Sequence, residues 1–204
     1  MHPSNPELRA KLLALITRDT EKRQELVDRG ELYETYHPEM EAVHRENAQT
    51  LDALLDDEGW PLPSHVGEDG VEAAWIVAVH AIGEPEFQRR CRALLEAAVQ
   101  EGEAPARLHA VLFDRIRFNE RRPQRYGTQI DWDAAGEMSP WEIENPDEVD
   151  ARRREVGLPP LAESVREVRE QVRQEGGRAP KPYADRQAEI LAWARRVGWL
   201  DARA

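Results

Sequence analysis

Arg107–Gln129, RLHAVLFDRIRFNERRPQRYGTQ, is the stretch whose periodicity decides the fold. Leu108, Val111, Leu112 and Ile116 stand at i, i+3, i+4 and i+8, one apolar face of a helix. Pro123 ends that helix in a polar loop and Gly127 supplies a turn. Beyond it the period changes. Thr128-Gln129-Ile130-Asp131-Trp132 and Met138-Ser139-Pro140-Trp141-Glu142-Ile143 are short, partly alternating runs around Asp133-Ala134-Ala135-Gly136, the pattern of a small β-hairpin. Pro140 confines it to an edge, because it cannot donate to a ladder. The rest of the chain is written in helical period, so the expected fold is mainly α: a compact helical domain over 1–175, with a hairpin near 128–143. A linker at 176–183 and an amphipathic C-terminal helix over 184–204 complete it.

Upstream, a first helix is expected from a cap at Ser4 or Asn5, with Pro6 early and Gly30 at its end. Leu8, Leu12, Leu15, Ile16 and Leu26 form its apolar side. A second runs from Pro38 to Gly59 through Met40, Val43, Asn47, Leu51, Leu54 and Leu55, with Tyr33 and Tyr36 packed where it begins. Trp60-Pro61-Leu62-Pro63 cannot continue a helix, and a loop is expected as far as Gly70. Val71–Ile82 is apolar nearly all round, which predicts a central helix. Glu84–Gly102 is the fourth. Downstream of the hairpin, a short helix after Asn145-Pro146 carries Arg152, Arg153 and Arg154, expected as a solvated charge run. A charged segment with a narrow apolar seam spans Leu161–Gln174. The tail helix is free to dock on the body or to pair with a second subunit as a homodimer.

The chain's 204 residues suffice for one substantial core, and its hydrophobic content of 40% is too high and too periodic for disorder. Its net charge of −12 opposes a general nucleic-acid surface or an anionic membrane, so neither is expected as a partner. One cysteine, Cys91, permits no intrachain disulfide and no thiolate zinc site. Met1–Leu15 lacks the pattern of a signal peptide. Ala73–Ile82, interrupted by His80, is about half the roughly 20 residues that span a bilayer. A cytoplasmic location is expected.

The order Met40-x2-Val43-His44-x2-Asn47, Gly59-Trp60-Pro61, Val66-Gly67, Ala73-Ala74-Trp75, His80-Ala81, Asp114-Arg115, Gln124-x-Tyr126-Gly127-Thr128-Gln129, Pro146 and Arg153-x2-Val156-Gly157-Leu158 resembles a bacterial family known only as a domain of unknown function. The similarity covers roughly Pro38–Leu161. Its most specific parts are Asp114-Arg115 and the Tyr-Gly-Thr-Gln run. It implies no established activity. Val79 departs from the pattern, which implies a glutamine before the histidine; a ligand contact made by that glutamine would be altered or lost here.

Within 107–129, six arginines face two acids, a local balance of +4 in an acidic chain. His80, alone on an apolar helix, needs a partner: a backbone carbonyl, or Asp114. As a functional group it would be a general acid/base oriented by Asp114. Arg115 is a candidate carboxylate or phosphate clamp, unless it is bridged to Glu41 or Asp150. Gln124, Tyr126, Thr128 and Gln129 offer polar groups around a glycine, either reading a ligand or satisfying one another. Tyr126 is counted with His80 and Asp114 as catalytic, and Asn47 and His44 join the ligand-contacting set. Glu41 and His44, with His37 one turn earlier, have metal-compatible spacing, but Pro38 places His37 outside the helix, so no metal is expected. No phosphate-loop, dinucleotide, nucleophile-elbow or zinc-protease motif is present, and no cofactor is expected.

Two functional expectations follow. One is a small polar or anionic ligand, or a peptide, held in a His/Asp/Arg/Tyr/Gln pocket, with metal-independent acid/base catalysis as an added capacity. The other is a non-catalytic acidic protein that neutralises a toxin or regulates a basic partner.

Overall fold

The computed structural model describes residues 3–32, 36–179 and 181–201. Among these, eight α-helices, one short 3-10 turn (Pro146–Glu148) and one antiparallel pair of strands make up the regular structure. The expected packing of Tyr33 lies outside the described residues, as do the ends of the tail.

Helix α1, Pro6–Asp28, starts where it is capped: Asn5 accepts a hydrogen bond from the Leu8 N–H at 3.0 Å and Pro6 sits at the first turn. Its buried face is Leu8, Leu12, Leu15, Asp19 and Leu26, so one carboxylate lies on the apolar stripe. Helix α2, Pro38–Glu58, stops at Gly59, whose φ of 68° suits only glycine. Helix α3, Pro63–His80, occupies the centre and packs against α1, α2, α4 (Pro85–Gln100) and α5 (Ala106–Asn119).

The expected loop to Gly70 is a correction. Only 59–62 lacks helical structure between α2 and α3, because Pro63 needs no N–H partner at a helix start and Leu62 is extended. The break falls instead at Gly67, with φ 75° and ψ 168°. Gln88 then ties α4 to the end of α3 by donating to the Ala78 and Val79 carbonyls at 2.6 and 3.0 Å.

Strands β1 (Ile130–Trp132) and β2 (Met138–Pro140) pair as Ile130 with Pro140, Asp131 with Ser139 and Trp132 with Met138. Asp133 closes their turn by accepting from Ala135 and Glu137 N–H groups, both at 2.9 Å, and from the Ser139 hydroxyl. Helices α6 (Val149–Glu155) and α7 (Leu161–Gln174) follow, α7 lying against β2.

Arg153 of α6 is also a correction. It is 2% exposed rather than solvated, and donates to the carbonyls of Pro159 and Tyr126 and to Ser164 Oγ at 2.6–2.7 Å. Helix α8, Tyr183–Val197, packs on the body through Ala194 and the following Trp199, whose indole N–H donates to the Ile82 carbonyl at 2.7 Å. No helix among the described residues is long and apolar enough to cross a membrane.

Candidate functional site

The 124–129 loop is held by one side chain. Asp114 is fully buried on α5 and accepts from the backbone N–H groups of Arg125 (2.8 Å), Tyr126 (3.0 Å) and Thr128 (3.1 Å) and from the Thr128 hydroxyl. Burial is the largest influence on its carboxyl and pushes the pKa up, while these four donors pull it down. Asp114 is therefore engaged by the loop and is not the carboxylate that orients His80. Gln124, also fully buried, turns inward, donating to the Gln129 and Trp141 carbonyls at 3.0 Å and accepting from the Gln129 N–H.

Tyr126 packs edge-on against Phe113 and lines neither cleft described below. Asn47, 1% exposed, donates to the Leu15 carbonyl and accepts from Arg18, which ties α2 to α1. Thr128 and Gln129 do reach open space, bonded to each other at 2.9 Å.

They line a cleft of about 560 Å³ between α5, the hairpin and α8, together with Arg115, Asp131, Arg186 and Trp193. A smaller cavity of about 220 Å³ holds Asp19, His44, Val79 and His80, and both spaces are bordered by Tyr36, Ile82 and Arg115. Arg115 is therefore the shared wall. Neither Glu41 nor Asp150 bridges it, and its Nε is buried with no hydrogen-bond partner among the described residues. Burial lowers its pKa to about 10, offset in part by the fields of Asp131 and Tyr36, so it stays cationic at neutral pH. Asp131 pairs with Arg186, yet its Oδ2 is also buried without a partner.

In the smaller cavity, Asp19 is 3% exposed. His80 Nδ1 lies 2.9 Å from Asp19 Oδ2 and His44 Nε2 lies 3.2 Å from the same oxygen. The His80 contact is a hydrogen bond. The His44 contact is close but misaligned, and Nε2 has no hydrogen-bond partner. His44 Nδ1 meets the Tyr36 hydroxyl at 2.9 Å, with the two rings stacked. Burial is the strongest influence on Asp19 and favours its neutral acid, but the two imidazoles together hold its pKa well below the ordinary carboxylate range. Burial likewise pushes His44 down, toward the neutral imidazole that can serve as base or ligand.

His37 does not join this cluster; it caps α2 at the Glu39 N–H and pairs with Glu31. A larger space of about 990 Å³ lies between the hairpin and α7. Its Arg169 is occupied by Met138 and Ser139 and its Arg173 by Glu170.

A family of unknown function (DUF6624) matches residues 6–173. The chain belongs to that family. No curated protein and no solved structure matches it. The DUF6624 span contains Asp19, His44, His80, Arg115 and the whole 124–129 loop, whereas the α8 wall of the larger cleft lies beyond it. Val79 is 5% exposed and lines the smaller cavity beside His80.

Asp19 is the residue that sequence reasoning missed. Its signal was its place four residues after Leu15 on the α1 stripe, where a solvated aspartate has no reason to sit.

Proposed function

We propose that this protein binds a small anionic ligand in the cleft between α5, the hairpin and α8, anchored by Arg115. The buried Arg115 Nε without a partner carries this reading. A buried N–H donor left unpaired costs about 1–3 kcal/mol, and a carboxylate or phosphate arriving from the cleft would return that cost through a charge-assisted hydrogen bond. The orphaned Asp131 oxygen supports a ligand that also carries a hydrogen-bond donor, as an amino acid or a peptide end does. A volume of about 560 Å³ suits such a molecule. Thr128 and Gln129 add polar contacts on the cleft wall. On the far side of Arg115, a carboxylate and two imidazoles line the neighbouring smaller cavity.

The acidic-partner alternative rests on the net charge of −12 alone. A thermal-shift screen of amino acids, short peptides, carboxylates and phosphates on wild type and Arg115→Met tests the proposal. Ligand at 100 times its Kd adds about 2.7 kcal/mol. The expected result is an anion that stabilises wild type and not the variant. Equal shifts in both proteins, or no shift in wild type, would overturn it.

A further inference from the structure

Three helices bring three donor atoms to one point. Asp19 comes from α1, His44 from α2, and His80 is the last residue of α3. One ligand atom from each of the three lies within 4.8 Å of the others, and Asp19 Oδ2 stands 2.9 Å from His80 Nδ1 and 3.2 Å from His44 Nε2. An ion bound to imidazole nitrogen or carboxylate oxygen at about 2.0–2.2 Å, with bond angles between octahedral and tetrahedral, places adjacent donors about 2.8–3.6 Å apart. Two of the pairs already hold that spacing.

His44 supplies the second observation. Its side chain is only 10% exposed, its Nδ1 is occupied by the Tyr36 hydroxyl, and its Nε2 is buried without an aligned partner. With the proton on Nδ1, donated to the tyrosine oxygen, Nε2 offers its lone pair to an ion beside the Asp19 oxygen; in the other tautomer the Nε2 proton faces Asp19 and is released when an ion binds. An imidazole oriented through its other nitrogen is the usual outer support of a metal ligand.

We infer that Asp19, His44 and His80 form a binding site for a divalent transition-metal ion, with its open coordination positions facing the cavity bordered by Arg115. Two imidazoles with one carboxylate suit zinc, iron(II) or cobalt(II) better than magnesium or calcium, which prefer oxygen alone. The ion's binding does not depend on the anionic ligand. It extends the proposal above, and rests on it only in this: Arg115 borders both the anion cleft and the cavity of the three donors.

The test uses the full chain, stripped by chelator and titrated with cobalt(II) followed by visible absorption, and with zinc(II) by calorimetry. One equivalent should bind, with a cobalt absorption band and a raised thermal midpoint. His80→Ala and His44→Gln should each weaken affinity on the order of 100-fold or more, and Tyr36→Phe by roughly 10–100-fold, the range for an outer-sphere partner. His37→Ala should leave it unchanged. His80 is 37% exposed at its side chain, so its variant can be checked for cooperative unfolding without a core defect obscuring the result. No ion bound to wild type, or binding that survives both histidine substitutions, overturns the inference. Arg115→Met separates the two proposals: it should keep the metal and lose the anion.

Discussion

Replacing Asp114 by Asn should uncouple the 124–129 loop from α5. The carboxylate has two oxygens for three backbone donors and one hydroxyl, with Arg125 N–H on Oδ1 and Thr128 N–H on Oδ2. Asn keeps one oxygen and sets an NH2 group against donors on the other side, so at least one backbone N–H is stranded whichever way the amide turns. Hydrogen bonds to a charged group contribute about 1.5–3 kcal/mol each, and a stranded buried donor costs about 1–3 kcal/mol. Burial pushes the Asp114 pKa up, so removing the charge returns part of the loss. The net expectation is about 2–4 kcal/mol, a large share of a total stability of roughly 5–15 kcal/mol. Urea unfolding reads it as a lower midpoint at constant m-value. Thr128→Val, which removes only the hydroxyl bond at 3.2 Å, should cost about 1 kcal/mol. A loss below about 1 kcal/mol for Asp114→Asn would refute the idea that this carboxylate organises the loop.

Three further outcomes are expected. Arg153→Leu strips donors from the Pro159 and Tyr126 carbonyls and should cost about 3 kcal/mol by denaturant unfolding; a neutral result would mean those carbonyls find other partners. Gly127→Ala places a Cβ 2.7 Å from Ile143 Cδ1 at a φ of +65°, so a lower Tm and a loss of about 1–3 kcal/mol should follow. Arg29 and Lys22 hold the exposed Glu39 carboxyl down from 4.5 to about 2. Its contribution is therefore complete above its unfolded pKa and is lost as pH falls through the folded one. Glu39→Gln should flatten the stability profile between those two values, and an unchanged acid limb would discount the pair.

Much of the fold was legible because its cues are local. The Asn5-Pro6 start, the Gly59 stop and the change of period after Gly127 each lie within a few residues of the structure they specify. The turn at Pro63 was read as loop because two prolines obscure a helix start whose interruption comes only at Gly67. The candidate site was legible in its parts but not in its pairing. Arg115, His44, His80, Thr128 and Gln129 line the two neighbouring spaces. The partner of His80, however, is Asp19, 61 positions away, and helix packing alone sets that contact. Asp114 was assigned to the wrong neighbour for the opposite reason: its true partners lie 11–14 residues downstream in a loop whose N–H groups leave no mark on side-chain pattern. Arg153 is similar, since it binds carbonyls and nothing in Arg152-Arg153-Arg154 distinguishes the middle residue.

The walls of the cleft draw on distant parts of the chain: Tyr36 just ahead of α2, Arg115 on α5, Trp193 and Arg196 on α8. During synthesis, which proceeds at about 5–20 residues per second, the α1–α5 body can pack before α8 has left the ribosome. Through that interval Arg115 would face water rather than a closed pocket, and its charge would be hydrated at little cost. Under the proposed function, affinity for the anion would then emerge only when the tail docks and Trp199 reaches the Ile82 carbonyl, so a truncated translation product that folded much of its core would still fail to capture it.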